Sequence, residues 1–133
     1  MSACIFCEIA KHNIPAQIVW EDDLAMAFLD INPNSPGHTL IIPKEHYAQL
    51  EVTPDQALTE IFSRVKKFRV ALKQAMKADY IVISIAGNDV DHLHIHLIPR
   101  HKNDGLVPWP QQKYLPGQAE EIIKQINNSL NQL

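Results

Sequence analysis

The chain is poor in cysteine, with only Cys4 and Cys7 among 133 residues, which excludes the disulfide framework of a small secreted domain. It has no basic-plus-apolar leader and no apolar run approaching the roughly 18 residues needed to cross a bilayer, so no membrane is expected and the chain reads as cytosolic. A basic surplus is missing too. Lys and Arg are scattered among Asp and Glu, the formal charge is −3, and a long nucleic acid is not an expected partner; small nucleotides are. Internal repeats and low-complexity segments are also lacking.

The 46% hydrophobic content is enough for one core, so a single domain over 1–133 is expected. Gln17–Trp20 and Leu24–Leu29 read as a hairpin across the acidic turn Glu21-Asp22-Asp23. Asp30 to Gly37 is dense in turn formers and should be a surface loop, after which His38–Ile42 forms a strand stopped by Pro43. Thr53-Pro54-Asp55-Gln56 has the form of a capping box opening a long helix, with Leu58, Ile61, Phe62, Val65, Phe68, Leu72, Ala75 and Met76 at helical spacing. Its other face, with Arg64, Lys66, Lys67, Lys73 and Lys77, reads as solvated. Tyr80–Ile85 and His92–Ile98 should pair as strands, the second ended by Pro99. A proline-rich stretch from Lys102 to Gly117 precedes a helix over Gln118–Leu130. With a short helical turn at Cys4–Ala10, the class is α+β: an antiparallel sheet of about five strands, a long helix, and helices at both ends.

Seven histidines are many for this length, and His92, His94 and His96 alternate with Leu93, Ile95 and Leu97. Strand periodicity puts the three imidazoles on one face and the aliphatic residues on the core face. Three readings are open: a polar solvent face, a site where the histidines share a metal, or a nucleophilic imidazole. The last suits phosphorus, because neutral imidazole has an exposed lone pair and its phosphoramidate is labile to water, while a neighbouring imidazolium can stabilise the phosphate or protonate a leaving group. Cys4 and Cys7 have the spacing of half a zinc site, of a redox pair, or of two core cysteines.

The run HLHIHLIPR from His92 to Arg100 resembles the signature of the histidine-triad family. CIFCEIA from Cys4, IPAQIVWEDD from Ile14, AFLDINP from Ala27 and GHTLIIPKEH ending at His46 follow in the family's order, so the resemblance covers about 4–100, with 101–133 as a C-terminal loop and helix. It implies a nucleotide hydrolase or nucleotidyl transferase acting at an α-phosphate. The substrate would be a purine nucleotide or dinucleotide, such as a dinucleoside polyphosphate or a phosphoramidate, and no organic cofactor is implied. His94 would be the nucleophile and His96 a phosphate contact. Asp30 would hold the ribose, with Ile31, Phe6, Ile9 and Phe28 as walls and Gly87 and Asn88 near the phosphate. The resemblance further implies a structural zinc on Cys4, Cys7, His46 and His92, and a homodimer. A catalytically weak binding or scaffold protein of the same fold is the alternative, followed by a metalloenzyme using the three histidines. His12, His38 and His101 are expected to be structural or solvated.

The chain departs from the family at one place. A longer glycine-rich loop, NxGxxAGQ followed by Ser or Thr, is replaced by Ala86-Gly87-Asn88-Asp89-Val90-Asp91, with Asp89 where a hydroxyl is expected. At roughly 4 Å and an effective dielectric near 20, a carboxylate repels a phosphate by on the order of 4 kcal/mol, so Asp89 and Asp91 are expected to point away or pair with a cation.

Overall fold

Alternation of residue size along two central strands organises the molecule. The computed structural model describes residues 4–107 and 109–133; Pro108 of the proline-rich stretch and residues 1–3 lie outside it. The strands are β1 (Ile18–Glu21), β2 (Ala25–Leu29), β3 (Thr39–Pro43), β4 (Tyr80–Ser84) and β5 (Ile95–Arg100), in a single antiparallel sheet of order β1-β2-β3-β5-β4. The helices are α1 (Ile5–Ala10), α2 (Asp55–Ala75) and α3 (Gln118–Leu130), the last with the bounds its sequence predicts.

On β2 and β3, Ala25, Ala27 and Ile41 face α2 and pack with its Ile61, Val65 and Leu72. The intervening Met26, Phe28, Leu40 and Ile42 face the other way and pack with Phe6 and Ile9 of α1. Both faces of these strands are therefore covered. Each fully buried large side chain, such as Met26, Ile41, Ile42, Ile95 or Leu97, contributes about 1.5–3 kcal/mol. Ile95 and Leu97 of β5 fall on the α2 side, which leaves His96, opposite Leu40 on β3, on the α1 side. The α1 side is where the site forms.

Four expectations need correction. The strand begins at Ile95, so His92 and His94 precede it, and both are buried rather than ranked along a solvent face. Pro99 does not end β5 but lies within it, opposite Ile81; β3 pairs with β5 only as far as Leu97, so on that side Pro99 has no strand neighbour to miss its donor. The capping box does not form: Pro54 is the N-cap of α2, and the Thr53 hydroxyl donates instead to the Gln49 carbonyl at 2.8 Å. Arg64 is not simply solvated, because its guanidinium reaches the Asp22 carboxylate at 2.8 Å and Glu60 at 3.1 Å. The apolar stripe of α3 is formed but unburied, with Ile123, Ile126 and Leu130 each more than half exposed.

Candidate active site and metal centre

At one end of the histidine run, four ligating side chains meet. Cys4 caps α1, its Sγ accepting from the Cys7 amide at 3.4 Å, and this turn sets both sulfurs on one side. His92 Nδ1 lies 3.3 Å from Cys4 Sγ and 3.5 Å from Cys7 Sγ, and His46 Nδ1 lies 3.3 Å from Cys7 Sγ. The four ligand atoms all fall within 4.8 Å of one another, so the set can hold one metal ion. His92 Nε2–H donates to the Pro43 carbonyl at 2.8 Å, which fixes the tautomer and turns the Nδ1 lone pair towards the sulfurs. Burial foremost holds the His92 pKa below its ordinary value, and the ring stays neutral as a ligand must. Burial, and then Cys4, push the Cys7 thiol up; two thiolates this close need a cation between them.

The next histidine points differently. His94 Nδ1–H donates to the main-chain carbonyl of His92 at 2.7 Å, leaving Nε2 with the lone pair; that atom is buried and makes no hydrogen bond among the described residues. The ring packs edge-on against Phe6, with centroids 5.1 Å apart, and Phe6 in turn packs on Phe28 at 5.5 Å and His92 at 6.0 Å. Ile9 is buried in the same cluster, whereas Ile31 is 90% exposed at the loop.

His96 and a residue the sequence reading set aside complete this end. The Asn34 amide donates to His38 Nδ1 at 3.0 Å, so the proton of neutral His38 is on Nε2, and it is donated to His96 Nδ1 at 2.9 Å. His96 must then carry its own proton on Nε2, as a free donor. His38 is therefore no isolated structural histidine. Its place directly before β3, opposite the strand that ends the triad, was the available signal. Asp30 stands by, with Oδ2 3.6 Å from His38 Nε2 and 4.0 Å from His96 Nδ1, while its Oδ1 accepts from the Asn32 amide at 2.8 Å. Burial, opposed by Asp30, lowers the His38 pKa; burial first, then His94 and His38, lowers that of His96. Asp30, His38 and His96 also cluster closely enough for a metal, but their nitrogens are committed to hydrogen bonds and offer it no lone pair.

The loop before β5 corrects another expectation. Asp89 does not point away: its Oδ1 lies 3.2 Å from His94 Nε2. The Val90 amide, which donates to Oδ1 at 2.8 Å, is the main reason its pKa is lowered, so it is ionised at neutral pH. Asp91 does turn aside, accepting from Gln49 Nε2 at 3.0 Å. Gly87 adopts φ +69° and gives its carbonyl to the same Gln49 amide at 3.3 Å; Asn88 is exposed. His12 pairs with Glu21 at 2.9 Å, and His101 Nε2 donates to the Lys77 carbonyl, both away from the site.

The chain is 44% identical over 119 residues to an adenosine 5′-monophosphoramidase of Saccharomyces cerevisiae, covering 84% of this chain and 73% of that one. A Streptococcus mutans structure superposes with a TM-score of 0.82 at 33% identity, covering 98% of this chain and 87% of that one. A zinc-bound histidine-triad protein of Mycobacterium smegmatis does so with a TM-score of 0.75 at 29% identity, covering 96% and 97%. Residues 11–103 match the HIT domain, which spans the hairpin, the Asp30 loop and the whole histidine run, and the chain belongs to that family.

Proposed function

We propose that the protein hydrolyses or transfers a nucleotide at its α-phosphate through a covalent intermediate on His94, with adenosine phosphoramidates among its substrates. One observation carries this reading: His94 presents a buried, unbonded Nε2 lone pair, oriented by the Nδ1–H bond to the His92 carbonyl. Kinship with the yeast monophosphoramidase supports the substrate class. In the first step Nε2 bonds to phosphorus as the bond to the leaving atom breaks, the leaving atom taking a proton from solvent while the His96 Nε2–H stabilises a phosphate oxygen. Water then displaces the histidine, releasing the nucleoside monophosphate and a proton and returning His94 to its neutral state. Asp30 accepts from the ribose hydroxyls, Phe6, Ile9, Phe28 and Ile31 flank base and sugar, and Gly87 and Asn88 lie beside the phosphate.

Zinc on Cys4, Cys7, His46 and His92 would be structural, since four protein ligands close a tetrahedral shell; it would tie the N-terminus to the sheet and leave the chemistry to His94 and His96. The three-histidine metalloenzyme loses ground, because among the described residues no metal-sized cluster gathers His92, His94 and His96. A homodimer is supported by the free edge of β4 and by exposed Ile83, Phe62 and Val70 on β4 and α2. No helix among the described residues is long and apolar enough to cross a membrane.

The test is turnover of adenosine 5′-phosphoramidate by wild type and His94→Ala. The variant should lose about a thousandfold or more in kcat while still binding AMP. Equal turnover by both would overturn the nucleophile, and tight AMP binding by a wild type without turnover would favour the scaffold alternative.

A further inference from the structure

The carboxylate beside the nucleophile has no role in the chemistry above. Asp89 Oδ1 sits 3.2 Å from His94 Nε2, the atom that must meet phosphorus. Its place is held rather than accidental: the Val90 amide fixes Oδ1, and the short loop is tied down by Gln49, which donates to both Gly87 and Asp91. Among the described residues no Lys or Arg pairs with Asp89 or Asp30; Lys44 is engaged by Glu21, Arg64 by Asp22 and Glu60, and Arg100 by Asp104. Among the described residues the pocket presents two carboxylates and no Lys or Arg.

We infer that Asp89 is a specificity-determining residue that selects substrates by the charge of the leaving group, admitting α-phosphates joined to an amine and rejecting those joined to further phosphates. This deepens the proposed function and rests on it. Both classes carry one negative charge at the α-phosphate, so its repulsion by Asp89 is common to them. They differ in what leaves. When the N–P bond to His94 forms and the bond to an amine breaks, the departing nitrogen takes a proton and leaves uncharged or cationic, next to a carboxylate that favours it. A polyphosphate leaves as a polyanion, and its charge grows at the moment of departure. At about 7 Å and an effective dielectric of about 40, each additional negative charge lowers transition-state affinity about tenfold. Asp89 cannot supply the proton, because it is ionised; the proton comes from solvent.

The experiment compares kcat/KM for adenosine 5′-phosphoramidate and diadenosine tetraphosphate in wild type, Asp89→Asn and Asp89→Ser. Asparagine keeps an acceptor for the Val90 amide while removing the charge, and the side chain is 60% exposed, so the fold tolerates both changes. Each variant should shift the ratio towards the tetraphosphate by about tenfold or more, and the shift should shrink as ionic strength rises. An equal change for both substrates overturns the inference. Should wild type turn over neither compound, the hydrolase reading fails, and equilibrium binding decides the inference independently: Asp89→Asn should narrow the preference for AMP over ATP about tenfold, and an unchanged preference overturns it.

Discussion

Two clusters, each built around a pair of histidines, stand at opposite ends of one five-residue segment, and they are prepared for opposite partners. Around His92, that ring's proton points away, to the Pro43 carbonyl, so its lone pair and the sulfurs converge. Around His96, the Asn34 amide starts a chain of donations through His38 that ends in an outward N–H. The first is suited to a cation and the second to an anion. Each contains two histidines, and what sets them apart is two sulfurs against one carboxylate together with the position of the ring protons. His94 lies between, with its lone pair kept free by the carbonyl of its metal-side neighbour.

Breaking the cation end should give the largest effect. Cys4→Ser with Cys7→Ser is expected to abolish bound zinc, measured by elemental analysis, and to lower Tm by about 10 °C, while His94-dependent hydrolysis persists. Activity that disappears along with zinc in a protein still folded would show the two ends to be one unit.

Next is the donor chain. His38→Ala should reduce kcat by about a hundredfold with little change in KM or zinc content, because His96 loses the partner that fixes its tautomer. His38→Gln, whose amide can still donate to His96, should restore part of the rate and flatten its pH profile less. Identical behaviour of the two variants would mean that His38 serves packing alone.

The loop gives a smaller effect. Gly87 is at φ +69°, and a Cβ there would lie 2.5 Å from Gln49 Oε1, so Gly87→Ala should displace Gln49 from both of its acceptors. The expected cost is about 1–2 kcal/mol in urea unfolding, with a larger loss in kcat than in zinc occupancy.

The least of these is a pH effect. Burial lowers the pKa of His38 and His96 in the folded protein, so below the unfolded value of about 6.5 the unfolded chain takes up protons first. Their contribution to stability is therefore intact above about pH 6.5 and is lost as pH falls towards the folded values. Urea midpoints at pH 7.5 and 5.5 should differ, and less so in His38→Gln.

The elements were largely legible in the sequence because each has a local cause. Helical spacing located α2, and the residues of α3 carry their own boundaries. The four cation ligands were legible only through resemblance, since Cys4 and His92 are separated by 88 residues. His38 was marked only by its place directly before β3, because what gives it a role is a ring 58 residues away, and an isolated histidine before a strand has no periodicity to mark it. Alternation over His92–Ile98 was read as one strand, yet the main chain before Ile95 is used otherwise: the His92 amide turns to the Val90 carbonyl at 2.8 Å and the Leu93 amide to Tyr47 at 2.7 Å. Alternation reports which side chains avoid water, and here those included the histidines. Asp89 was identified as an anomaly, but the direction in which it points depended on how a short loop closes.

The hydrogen bond from His94 to the carbonyl of His92 bears on how the molecule matures. The imidazole that would react is aimed by the same residue whose ring meets the first helix, so its orientation is completed by contact between the opening turn of the chain and a segment 88 residues later. Closing so long a loop is entropically slow and comes late in folding. A chain emerging from synthesis would thus pass through a stage with sheet and long helix in place but the opening turn undocked, and capture of an ion by Cys4, Cys7, His46 and His92 would speed that docking without being required for the chemistry.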